Sequence, residues 1–169
     1  MAVSSSFNAF YENGYQVLNN INNIINSVNN LTDATVIQKS QITAEALALR
    51  GFIHFQLVQI YGQTYNFSSN ASHKGIVYAD RIFIGGVDFP ARKTVAQTYE
   101  LIVNDLQQAI SKFTSNQSLL GPSYSYFNAI STKAILAKVA LQKRDWSLAK
   151  TLSNEVILNS GLTLISITH

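Results

Sequence analysis

Residues Ala44 to Gly62 read AEALALRGFIHFQLVQIYG, a run of helix length whose apolar residues fall on nearly every side. A helix of that kind must be covered over most of its surface, so the chain has to fold as a packed helical array. Small residues at Ala44, Ala48 and Gly51 mark where a neighbouring helix approaches closely, and Phe52, Phe55 and Leu57 are large enough to fill the gaps beside it. Arg50 stands among these apolar neighbours. A buried guanidinium without partners is expensive, so Arg50 is expected to bond carbonyls or pair with an acid, and Glu45 is likewise read as structural.

The neighbours are legible in the rest of the chain. Phe7, Tyr11, Gly14, Leu18, Ile21, Ile25 and Val28 recur at spacings of three and four, which predicts a first helix over about Ser6 to Leu31. The Asn residues at 19, 20, 22, 23, 26, 29 and 30 are read as its solvated face. Thr32 or Thr35 can cap the second helix, and Thr35-x-x-Gln38 is a capping-box spacing; the helix runs through the apolar segment to Tyr61 with Gly62 as a left-handed cap. Gln63 to Lys93 keeps no helical period and holds Gly75, Gly85, Gly86 and Pro90. Loops of this length inside a domain are uncommon and often functional. Ile82 to Ile84 suggests a short extended piece within it. Thr94-x-x-Gln97 starts a third helix with Val95, Tyr99, Ile102, Leu106, Ala109 and Phe113 on its buried face. A loop from Thr114 to about Tyr126 turns at Gly121-Pro122. The fourth helix covers about Phe127 to Lys143. Asp145 caps a fifth, Trp146 to Asn159, which Gly161 ends before the apolar tail Leu162 to Ile165. The expected fold is all-α, one domain over residues 1–169, with about five main helices and one long loop insertion.

Composition removes several functional classes. Charged residues make up 12% of the chain, about half of ordinary usage, so Asn, Gln, Ser and Thr carry its polarity. The net charge of +3 comes without a basic cluster, which argues against nucleic acid. Lys133, Lys138, Lys143, Arg144 and Lys150 form no continuous stripe and read as solvated. Cysteine is absent, which excludes disulfides, thiolate catalysis and Cys-based zinc sites within these residues. His54 lies between core positions, His73 sits in the long loop and His169 is terminal. No His pair, paired acid and base, Gly-x-Ser-x-Gly, phosphate loop or dinucleotide fingerprint is present. No enzyme activity, no cofactor and no metal are expected. The four Asn-x-Ser/Thr sequons, at Asn30, Asn66, Asn70 and Asn116, are what an Asn-rich chain gives by chance.

Two resemblances sharpen this. The last two helices resemble a tetratricopeptide unit: Leu136-Ala137, Ala140, Asp145-Trp146, Ala149, Ser153 and Val156 stand at its packing positions, with Ala140 where an aromatic is usual. By that resemblance Trp146 packs between helices. The pattern A-E-A-x-x-L-R-x-F-x-x-F-x-L-x-x-x-Y-G at Ala44–Gly62 resembles the signature helix of the SusD/RagB family. Tyr99-x-x-Ile102-x-x-Asp105-Leu106-x-x-Ala109, Lys133-Ala134-x-Leu136-Ala137 and Val156-Ile157-x-x-x-Gly161-Leu162 continue the match in order. Lys74-Gly75-Ile76-Val77-Tyr78 is similar to the family's G-x-P segment, with Val77 or Tyr78 in place of proline. The resemblance implies the tetratricopeptide-like portion of a longer glycan-binding lipoprotein at the Bacteroidetes outer membrane, partnered by a SusC-like TonB-dependent transporter. The acylated Cys of such a lipoprotein is not in this chain, so a truncated chain is expected.

For an oligosaccharide, the useful groups are aromatic faces for C–H surfaces and planar amides for the hydroxyl rim. In the long loop these are Tyr65, Asn66, Phe67 and Tyr78, with Asn70 nearby, and Tyr124 and Tyr126 stand in the second loop. An alternative reading is a tetratricopeptide-type module that holds a peptide in its groove.

Overall fold

The structure, a computed structural model, describes the backbone of residues 2–113 and 126–162, with side chains from residue 6 onward. It contains α1 (Ala2–Ser27), which continues into a short 3-10 turn (Val28–Asn30), α2 (Val36–Tyr61), α3 (Val95–Lys112), α4 (Ala129–Gln142) and α5 (Trp146–Asn159). The described residues form no strand. Their only β-type pairing is the isolated bridge between Lys74 and Thr94. Gly121-Pro122, Tyr124, Asn116, Leu164, Ile165 and His169 lie outside the described residues.

The helix starts follow from local chemistry. Thr35 and Thr94 each accept from the backbone N–H of the Gln three residues on, and each Gln side chain accepts from the Thr N–H in return. This reciprocal box satisfies two of the donors that a helix N-terminus leaves open. Asn128 and Ser131 form a third box at α4, and the Asp145 carboxylate accepts from Leu148 N–H at α5. The helix ends are less regular. Gly62 has φ −104°, which is extended and not left-handed. Glycine is needed there for space, because a Cβ would sit 2.7 Å from the Val58 carbonyl oxygen. Between α4 and α5, Asp145 N–H donates to Ala140 O and Arg144 N–H to Leu141 O, a Schellman closure with Arg144 at φ +61°.

Each helix packs on its chain neighbours, and α2 against α3 is the most extensive contact. Gln41, Ala44, Leu47, Ala48, Gly51, His54, Phe55, Leu57 and Val58 of α2 are buried, as an all-round apolar helix requires. The close approach expected at the small residues is present at Gly51, whose missing Cβ would lie 3.0 Å from the Leu106 side chain. Gly51→Ala should therefore destabilise the chain by about 1–3 kcal/mol through overpacking, read as a lower urea midpoint at unchanged slope.

On α1 and the turn that continues it, Leu18, Ile21 and Val28 are buried, but Phe7 and Tyr11 of the same stripe are exposed. Cover there comes largely from Tyr61, whose ring meets Tyr11 edge-on at 5.0 Å and whose hydroxyl donates to Phe7 O. α4 and α5 run back along each other. Lys133 near the start of α4 pairs with Glu155 near the end of α5 at 2.7 Å. Leu136, Ala137, Ala140 and Ala149 are buried at the repeat positions. Trp146 departs from expectation: it is 62% exposed, because no further helix among the described residues lies beyond α5 to receive it.

Candidate functional site

The segment between α2 and α3, residues 62–94, is the largest feature that the helical array does not itself require. Residues 71–76 within it are zipped to residues 93–96 at its far end. Gly75 N–H donates to Lys93 O, Lys93 N–H to Ile76 O, Val95 N–H to His73 O and Ala96 N–H to Ala71 O. Gly75 permits this approach, since a Cβ would stand 2.6 Å from Thr98 Oγ1.

The middle of the loop is held by side chains of α1, α2 and α3. Asn19 uses both ends of its amide on one residue: Nδ2 donates to Phe83 O at 2.9 Å and Oδ1 accepts Phe83 N–H at 2.8 Å. The extended piece expected at Ile82–Ile84 therefore forms no strand; an Asn side chain occupies the place of a neighbouring strand. Asn22 donates to the carbonyls of Ala79 and Arg81 at 2.8 and 2.9 Å, and Tyr15 to that of Val77 at 2.7 Å. Asn19 and Asn22 thus face the loop, which corrects the reading of all the α1 asparagines as solvated. The available signal was phase: position 22 falls inside the stripe of Leu18, Ile21 and Ile25.

Beneath these contacts lies a buried polar cluster. Arg50 Nε and Nη2 donate to the two oxygens of Asp105, both at 2.7 Å, and Nη1 donates to Asn22 Oδ1 at 2.9 Å and to Asp80 O at 3.3 Å. Arg50 therefore finds both an acid and a carbonyl, as expected. Burial opposes its charge, but the bonds from Asp105 outweigh it and hold its pKa above the ordinary value. Tyr78 donates to Asp105 Oδ2 at 2.6 Å. Burial first, then the adjacent carboxylate, push the Tyr78 hydroxyl well above its usual range. The Tyr78 ring stacks on His54 with centroids 3.7 Å apart and planes 12° from parallel. His54 Nε2 accepts Ala79 N–H at 2.9 Å, so its proton sits on Nδ1, which donates to Arg50 O. Burial lowers the His54 pKa to about 3, and the ring is neutral. The cluster's polar groups answer one another, which makes it an anchor and not a set of reactive groups.

The four residues singled out for ligand contact are divided by this arrangement. Tyr65, Asn66 and Phe67 share one turn, closed by Phe67 N–H to Thr64 O. Tyr65 is half-buried, edge-on to Tyr99 of α3 at 5.1 Å, with Lys143 Nζ 6.0 Å from its ring centroid. Asn66 is exposed, and Phe67 is 64% exposed with its ring beside His73. Tyr78 is only 3% exposed and both ring and hydroxyl are engaged, so it presents no face to a sugar. Tyr126 is exposed beside a cleft bordered by Ile24, Glu45 and Phe127. His73 receives or gives one bond with Ser68, and its Nε2 is buried without a partner. Among the described residues no group of three or more His, Asp or Glu is placed to hold a metal ion, and no helix is long and apolar enough to cross a membrane.

Residues 2–141 match the SusD-like family described as starch-binding and associating with the outer membrane. The chain belongs to the SusD-like family. Its fold is similar to that of a SusD superfamily protein from Bacteroides thetaiotaomicron VPI-5482, with 26% identity, a TM-score of 0.80, and coverage of 92% of this chain and 33% of the other. A putative sugar binding protein from Bacteroides vulgatus ATCC 8482 gives 26% identity and a TM-score of 0.77 over 88% of this chain and 32% of its own. A SusD-like carbohydrate binding protein from the same organism shares the fold at 19% identity, with a TM-score of 0.81 over 93% and 32% of the two chains. The SusD-like chain thus spans about a third of the length of these structures. No curated protein matches it. The all-α tetratricopeptide-like array with its long insertion is the fold of this SusD-like chain.

Proposed function

We propose that this chain is the helical scaffold of a glycan-binding protein at the outer-membrane surface, part of a longer polypeptide, which hands oligosaccharide to a SusC-like TonB-dependent transporter. Capture is by stacking and hydrogen bonding and involves no catalysis. The observation that carries the reading is that Asn66 and Phe67, consecutive in one turn, are both exposed, with Tyr65 beside them packed edge-on against Tyr99 of α3. An apolar ring next to a planar donor–acceptor group is the pairing a sugar's C–H face and hydroxyl rim require. The family's association with starch and the outer membrane supports the same reading. Tyr78 serves the proposed site indirectly, by anchoring the loop.

Affinity electrophoresis through gels containing starch, and through a panel of other glycans, tests this. Phe67→Ala should weaken retardation roughly tenfold, about 1.4 kcal/mol, and lower Tm less than Tyr65→Ala does, since its ring is mostly exposed and touches His73 only at an edge. Tyr65→Ala should weaken binding and also lower Tm, because Tyr99 loses its edge contact. A chain that no glycan retards, or a Phe67→Ala variant retarded like the parent, would count against the proposed site. The partner is checked by looking for a TonB-dependent transporter gene beside this one and for co-purification of its product with this chain.

A further inference from the structure

The turn that carries Tyr65, Asn66 and Phe67 stands among cations without acids beside them. Residues 62–79 contain no Asp or Glu, and they include His73 and Lys74. Lys143, at the C-terminal end of α4, is half-buried with Nζ 6.0 Å from the Tyr65 ring centroid. That is the outer limit of a cation–π contact, so the ring answers the ammonium only weakly. Among the described residues no carboxylate lies within ion-pair distance of Lys143. The acid nearest to it in sequence, Asp145, accepts Leu148 N–H at the start of α5. Lys133 of the same helix, by contrast, pairs with Glu155. The cations of α4 and α5 read alike as solvated in the sequence, and the structure sets Lys143 apart from them. On the other flank of the turn, the His73 ring meets Phe67 edge-on at 5.2 Å, and the exposed Lys74 follows it. Arg92 closes the neck of this lobe. Its Nε donates to Gly75 O at 2.5 Å, and its Nη2 to the carbonyls of Tyr61 and Lys74 at 3.3 and 3.4 Å. These partners are neutral, so the charge of Arg92 stays uncancelled. Glu100 adjoins Tyr99 in sequence, but it is exposed where Tyr99 is buried, so the two lie on different faces of α3.

We propose that the turn at 65–67 takes an acidic oligosaccharide, one that bears carboxylate or sulfate groups. Lys143 receives the anionic group, and Lys74 and Arg92 add to the attraction. Like charges unrelieved by acids select a partner of the opposite sign. A neutral glucan meets the ring and the amide equally well but leaves the half-buried ammonium of Lys143 without an anion. The inference rests on the glycan reading above and narrows it to a charge class.

Titration calorimetry with maltoheptaose, sulfated maltoheptaose and an oligogalacturonate of the same length tests this. At about 0.01 M salt at least one acidic sugar should bind at least about tenfold more tightly than the neutral one, and the gap should close at about 1 M salt. Which of the two acidic sugars binds separates sulfate from carboxylate. Lys143→Gln should weaken acidic binding about three- to tenfold and leave neutral binding and the circular dichroism unchanged. Lys150→Gln makes the same charge change at an exposed position on α5 and should alter neither. Phe67→Ala should weaken both classes. A neutral sugar bound as tightly as the acidic ones sinks the charge preference and leaves the glycan reading standing. So does an acidic preference that survives Lys143→Gln, or one that Lys150→Gln weakens as much. Displacement of the acidic sugar by polyglutamate at equal charge overturns recognition of a sugar in favour of any polyanion. If none of the three sugars binds, the glycan reading fails together with the inference built on it.

Discussion

Asp105→Ala should cost the chain about 3–5 kcal/mol, a large share of the roughly 5–15 kcal/mol that stabilises an ordinary domain. The expectation rests on what the substitution leaves behind. Asp105 is 1% exposed, and it accepts two bonds from Arg50 and one from Tyr78. Without it a buried guanidinium keeps only its Nη1 contacts to Asn22 and Asp80, and a buried hydroxyl has lost its acceptor. Removing one member of a buried ion pair is costly for that reason, even where the pair itself adds little over an apolar filling. Asp105→Asn, which keeps the shape and loses the charge, should fall between the parent and the alanine variant. Tyr78→Phe removes a single bond to a charged group and should cost about 1.5–3 kcal/mol. Urea unfolding followed by circular dichroism checks all three. An Asp105→Ala loss below about 1 kcal/mol would show that the cluster does not hold the loop to the helices.

The second large effect is acid sensitivity through His54. Its folded pKa is lowered to about 3, chiefly by burial, whereas an unfolded chain has an ordinary value of about 6.5. Between those two pH values the unfolded chain binds a proton that the folded chain refuses. Stability from this group is therefore complete above about pH 6.5 and is lost as pH falls, by up to about 1.4 kcal/mol per pH unit. The structural reason is plain: a protonated ring could not accept Ala79 N–H and would place a second positive charge beside Arg50. His54→Gln keeps an acceptor without a titrating ring. Between pH 7.5 and 4.5, before the carboxylates dominate, the parent's urea midpoint should fall clearly more steeply than that of His54→Gln. Parallel slopes would show that the ring is not held neutral by its surroundings.

Much of this fold could be read from the chain because the relevant physics is local. Thr35 and Thr94 declare helix starts through a partner three residues away, and the stripe from Val95 to Ala109 states which side of α3 is buried. What escaped depends on distant contacts. Arg50 announced that it needed an acid, but nothing near it named Asp105, 55 residues on. Tyr78 sits in a segment without periodicity, so its sequence context gave no phase from which burial could be inferred. The positions of Gly62 and Trp146 suggest a left-handed cap and an interhelical filler, and neither role is the one they have. Gly62 answers a steric demand from Val58, and Trp146 lacks, among the described residues, the neighbour that a repeat would provide. For the candidate site, residue type found the exposed turn at 65–67 but could not separate it from Tyr78, which differs in its surroundings and not in its chemistry.

The clasp between the first helix and the loop has a temporal side. Asn19 and Asn22 bind backbone groups that lie 57 to 64 residues later in the chain. During synthesis the first helix leaves the ribosome well before those groups exist, and until they arrive its inward asparagines have only water to bind. The first helix can meet the second as soon as both exist, but its polar face is satisfied by protein only once the crossover has been made.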